Sequence, residues 1–101
     1  MKLVVKRTQT EDDACAWITF SQEGMPGLVL SEYEISPFVE ALENIQEHSS
    51  ECFHENVRVQ RQVESVIISR LTTRDEVLIK LTQSKSLKLA SALRSSYPEY
   101  F

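Results

Sequence analysis

His48, Cys52 and His54 fall within one short stretch, beside Glu47, Glu51 and Glu55. Imidazole and thiolate are good zinc ligands, and this spacing could let three donor atoms converge on one ion. A structural zinc site wants a fourth ligand and a paired-ligand pattern, and the stretch has neither. Cys52 as a nucleophile, with His48 or His54 as its base, lacks a third group to orient the imidazole. The plainer reading is a polar helix-to-strand loop, and the sequence predicts no metal.

Other chemistry is equally thin. None of the serines sits in a Gly-x-Ser-x-Gly elbow. The chain has two glycines, Gly24 and Gly27, both in one loop, so no Gly-rich turn cradles phosphate ahead of a helix. Glu32 and Glu34 stand two apart on an expected strand and would share a face, a spacing compatible with general acid–base work. Solvated charge explains them more simply. The sequence therefore predicts a non-enzymatic protein without a cofactor.

The charges carry more information. The net charge is −4, but from Thr8 to Glu55 there is no Lys or Arg against eleven Asp and Glu. From Asn56 onward the balance reverses, with Arg58, Arg61, Arg70, Arg74, Lys80, Lys85, Lys88 and Arg94. Three readings follow: the two halves screen one another, the acidic half docks on a basic partner, or the basic half holds phosphate. Bases stack on aromatic rings in single-strand binders. Here Trp17, Phe20 and Tyr33 lie in the acidic half, while Tyr97, Tyr100 and Phe101 trail at the end. That separation favours the acidic docking surface, with Glu32, Glu34, Glu40, Glu43 and Glu47 as its residues. Arg58, Arg61, Arg70, Lys80, Lys85 and Lys88 form the alternative, a phosphate-binding set for single-stranded nucleic acid.

These side chains need a scaffold of modest size. At 101 residues, 42% hydrophobic and 26% charged, the chain reads as one globular domain rather than a disordered segment. No apolar run is long enough to span a bilayer, and Met1–Arg7 returns to charge after three apolar residues, unlike a signal peptide. Cys15 and Cys52 are then expected as reduced thiols in a cytoplasmic protein.

Val4 and Val5 predict a first strand over Lys2–Thr8, and Trp17, Ile18 and Phe20 a second over Ala14–Ser21. Glu23-Gly24-Met25-Pro26-Gly27 makes a hairpin loop, with a return strand over Leu28–Tyr33. Ser36-Pro37 predicts a helix start, and Phe38, Val39, Leu42 and Ile45 recur at helical spacing until about His48. Val57–Leu71 reads as one long bent strand, or two joined by a bulge near Gln62–Ser65. Thr72–Glu76 is a turn, and Val77–Leu81 a strand with Val77, Ile79 and Leu81 on one face. Thr82, Ser84 or Ser86 can cap a final helix that Tyr97-Pro98 stops.

The two halves match in pattern at an offset of 48, with Ser36 on Ser84, Val39 on Leu87, Leu42 on Ala90 and Ile45 on Leu93. The expectation is an α+β fold: a mostly antiparallel sheet of five or six strands with two helices. It is built from a strand-hairpin-helix unit (ββα or βββα) used at 1–50 and 51–101, sharing one core. Duplicated strand-strand-helix units of this kind resemble the architecture of Whirly-type single-strand nucleic-acid binders, with no shared motif. Strands apolar on both faces, as at Val66-Ile67-Ile68, need cover for the second face, from self-association or from a curved sheet folding over itself, and of these a homodimer is expected. The function expected is an adaptor- or inhibitor-like protein-interaction module. Its acidic surface would dock on a basic protein, one that otherwise holds nucleic acid.

Overall fold

A computed structural model describes residues 2–9, 11, 15–47, 50–54, 56–71 and 75–101. The fold is α+β and antiparallel, with seven strands and two α-helices among these residues. Strands β1 (Leu3–Gln9), β2 (Ala16–Gln22) and β3 (Leu28–Ser31) precede helix α1 (Ile35–Asn44). Strands β4 (Ser50–His54), β5 (Val57–Gln62), β6 (Ser65–Leu71) and β7 (Asp75–Thr82) precede helix α2 (Gln83–Ser96). A single sheet of five or six strands is not what forms. The strands make two sheets, ordered β1-β2-β3 and β4-β5-β6-β7.

The two sheets meet at β7, whose ladder with β6 is irregular. Ile68 pairs with Ile79 but Ser69 pairs with Val77, so Leu78 is an extra residue, a β-bulge. The bulge overturns the expected single face of Val77, Ile79 and Leu81: Leu78 and Ile79 are both buried, while Val77 is exposed. It also leaves backbone groups on the outer edge of β7 for the other sheet. The Gly27 N–H donates to the Leu78 carbonyl at 3.1 Å. The Gln22 side chain then grips Lys80 from both sides, its Nε2 donating to the carbonyl at 2.7 Å and its Oε1 accepting from the N–H at 3.0 Å. A side-chain amide thus replaces one peptide unit of a missing strand. Gly27 is required there, because at φ +84° a Cβ would lie 2.8 Å from the Phe20 carbonyl oxygen.

Strand β2 alternates as an amphipathic strand should, with Ala16, Ile18, Phe20 and Gln22 buried and Trp17 and Ser21 exposed. Ile18 and Phe20 meet Ile35, Phe38, Leu42, Val59, Ile68 and Leu93 in one core shared by both sheets and both helices. The Phe20 and Phe38 rings pack at 5.3 Å, tilted by 58°. An offset of 48 sets buried Ala41 and Leu42 of α1, and Ile45 at its C-cap, on buried Leu89, Ala90 and Leu93 of α2. It fails at Val39, which is buried, against Leu87, which is exposed.

Five further expectations differ from the fold. The third strand ends at Ser31, and residues 32–34 form a 3-10 turn that leads into α1. The Glu34 carboxylate accepts from the Ser31 N–H at 3.0 Å, so helical structure starts before Ser36-Pro37, which fall inside α1. The helix also stops at Asn44, short of His48. Residues 50–54, read as loop, form β4, whose ladder with β5 is irregular between Cys52 and His54. Residues 57–71 are neither one bent strand nor two joined by a bulge. They fold into a tight β5–β6 hairpin with Gln62 opposite Ser65. Val63 takes the left-handed φ of 57° at its tip, a place where Gly or Asn is usual. The last helix is capped by Thr82, whose Oγ1 accepts from the Lys85 N–H at 3.2 Å, and it ends before Tyr97-Pro98 as expected.

Candidate functional site

The five carboxylates of the acidic half do not share one fate. Glu43 on α1 is clamped by Arg94 on α2, with Arg94 Nη2 at 2.6 Å and Nε at 3.0 Å from its two oxygens. That bidentate pair holds the Glu43 carboxyl below its ordinary pKa, the hydrogen bonds from Arg94 outweighing the opposing effect of burial. It also joins the acidic helix to the basic one, so the two halves screen each other at this point. Glu34 is turned inward to Ser31. Its expected alignment with Glu32 on a strand face is lost, because both now sit on the 3-10 turn.

Glu32, Glu40 and Glu47 remain. Among the described residues no ion pair reaches any of the three. Glu40 and Glu47 are exposed and Glu32 is half-buried. Glu40 lies near enough to Arg94 to raise its pKa further, a field effect secondary to Glu43. Glu32 lines an open groove of about 410 Å³ with Tyr33, Glu99 and Tyr100. This groove was not legible in the sequence, because Glu32 and Glu99 lie far apart along the chain and meet only in the fold.

The aromatic ending forms the far wall of that groove. Tyr97 and Tyr100 stack at 5.6 Å and pack against the core. The Tyr100 hydroxyl accepts from Arg7 Nε at 3.0 Å, and the Arg94 guanidinium lies 4.8 Å from the Phe101 ring centre. The last residues pack back on the protein rather than extending as a tail.

The basic set is dispersed. Arg61 Nη1 donates to the Gln46 carbonyl at 3.1 Å, just beyond the end of α1, where the helix dipole favours a cation. Arg58 lies 3.4 Å from Asp75, and Arg70 lies 3.9 Å from Glu76. Three of the six are thus engaged with other groups. Lys80 and Lys85 line a groove of about 270 Å³ with Gln22, Ser65 and Thr82, and Lys88 follows Lys85 on α2.

Cys52 is exposed on β4, and Cys15 is an exposed thiol ahead of β2. His48 and the side chain of His54 lie outside the described residues, so the His48, Cys52 and His54 constellation cannot be assembled from the rest. Among the described residues no helix is long and apolar enough to cross a membrane. No protein-family model matches the chain, and no curated protein or solved structure is significantly similar to it.

Proposed function

We propose that this chain is a non-enzymatic interaction module, adaptor- or inhibitor-like, that docks an acidic surface on a basic protein. The observation that carries the reading is the set of carboxylates that no ion pair reaches among the described residues. Glu40 on α1, Glu47 just beyond its end and Glu32 beside Tyr33 are open to a partner, while Glu43 and Glu34 are spent inside the fold. Fixed charge of one sign steers a basic partner and sets its register more than it adds affinity. A partner that otherwise binds nucleic acid fits this chemistry, because its surface must be basic. In the same reading the protein is cytoplasmic and pairs with a second copy through the outer face of β1–β3. There Val4, Trp17 and Val29 are 52%, 42% and 57% exposed.

The test is charge reversal at Glu32, Glu40 and Glu47, followed by binding to an arginine-rich peptide at low and physiological salt. The reading expects binding that weakens steeply with salt and is lost in the variant. Binding indifferent to both changes rules it out.

The alternative, single-stranded nucleic acid, draws on the groove flanked by Lys80 and Lys85, with Lys88 beyond it. A low-salt gel shift with single- and double-stranded oligonucleotides separates the two. A shift abolished by reversing Lys80 and Lys85 supports the alternative, and no shift removes it.

A further inference from the structure

The core face of β1 is covered along only part of its length. Leu3, Val5, Arg7 and Gln9 stand opposite the buried Gln22, Phe20, Ile18 and Ala16 of β2, and so share the core-facing side. Toward the C-terminal end, Arg7 is met by Tyr100. Toward the N-terminal end, Leu3 and Val5 overhang a groove of about 330 Å³ whose floor includes Leu81 of β7 and Leu89 of α2. Val5 is 36% exposed, high for an apolar residue on that side of the sheet. Lys2, Lys85 and Lys88 stand around this groove, and among the described residues no acidic one lines it. Beside it runs the free edge of β1, which among the described residues pairs with β2 alone.

We propose that the β1 edge and its groove receive an extended acidic–apolar segment of another protein, added as a strand. A strand laid along this edge would place every second side chain over Leu3, Val5 and the groove floor. Its backbone would satisfy the unpaired N–H and C=O groups of β1. Acidic residues between the apolar ones fall on the opposite face of the sheet, the side of Lys6, while Lys2, Lys85 and Lys88 at the groove hold the whole segment in a positive field. A second copy of β1 is a poor occupant, since Lys2, Lys6 and Arg7 would face their own kind and β1 carries no acid to offset them. Lysines on an edge strand commonly discourage unwanted pairing. Here the same charges reject basic or neutral strands and admit an acidic one, which makes the edge selective. This interface does not depend on the carboxylates of α1, so either proposal can fail without the other.

The probe is a short labelled peptide alternating Val with Glu, titrated at low salt and read by fluorescence anisotropy. Three relatives accompany it: Lys in place of Glu, the same residues in block order, and N-methylation of alternate residues in each of two frames. The alternating acidic peptide should bind, and the Lys and block forms should bind at least tenfold more weakly, about 1.4 kcal/mol. Methylation should weaken binding in at least one frame, because one edge of a strand carries alternate N–H groups. The doubly reversed Lys85→Glu, Lys88→Glu protein, whose groove is no longer basic, should bind the acidic peptide more weakly as well. Equal binding of all peptides, or indifference to methylation in both frames, overturns the proposal. So does dimerisation through the β1 edge itself that the peptide cannot compete with, or uptake of anionic vesicles in its place.

Discussion

Replacing Gln22 tests whether one amide side chain really fastens the two sheets. Gln22 is 6% exposed and makes two hydrogen bonds to Lys80, at 2.7 Å and 3.0 Å. Each contributes about 1 kcal/mol net, so Gln22→Ala should cost about 2 kcal/mol. The cost should not reach the larger penalty of buried, unmatched groups. The groove lined by Gln22 and Lys80 opens beside them, and water can reach the freed N–H and carbonyl. For a chain of this size the loss corresponds to a fall of about 8–16 °C in Tm, followed by circular dichroism. Gln22→Glu sharpens the test. The introduced carboxylate can still accept from the Lys80 N–H but faces the Lys80 carbonyl with no donor. Its folded pKa is then raised, so stability should be greatest below the unfolded carboxyl pKa and be lost as pH rises through the folded value. A Gln22→Ala change that moves Tm by less than about 2 °C would refute the reasoning.

Two other changes probe the hairpin and the helix pair. Val63 holds a left-handed φ of 57° and is 91% exposed, so Val63→Gly relieves backbone strain without losing packing. It should stabilise by about 1 kcal/mol in a urea titration, and destabilisation would contradict the turn geometry. The Glu43–Arg94 pair should add a small pH dependence, small because both side chains remain about two-fifths exposed, at 40% and 43%. Glu43 has a lowered folded pKa, so its contribution is present above the unfolded value and fades as pH falls through the folded one. Acid unfolding curves of Glu43→Gln should lack that component, and superimposable curves would show that the pair contributes nothing.

The parts of the fold that followed from local chemistry were readable. The Gly24–Gly27 loop, the apolar spacing of Phe38, Val39 and Leu42, and the stop at Tyr97-Pro98 each act within a few residues. Three features were hidden because their causes are not local. The hairpin at Val63 uses no Gly, Asn or Pro, so no turn signal marks it, and flanking pairs such as Val59 with Ile68 must impose it. Strand β4 sits in an acidic stretch and is held by its ladder to β5 rather than by its own propensity. The meeting of the two sheets involves the Leu78 bulge and the Gln22 amide, neither of which alters the apolar pattern.

The candidate surface was legible in sign but not in detail. Eleven acids without a base between Thr8 and Glu55 announce an acidic half. Only the packing of α1 on α2 shows that Arg94 takes Glu43 out of the surface. Likewise, only the return of the C-terminal residues shows Glu99 and Tyr100 beside Glu32 and Tyr33. Reversal of Glu43 therefore confuses lost binding with lost packing, whereas reversal of Glu40 and Glu47 does not.

The most direct test of an acidic docking surface is a nitrogen-15 amide titration of the protein with an arginine-rich peptide. The account predicts shifts concentrated at Glu32, Glu40 and Glu47 and their neighbours, fading as salt rises toward about 0.15 M. Shifts spread evenly over the protein, or persisting unchanged in high salt, would contradict it.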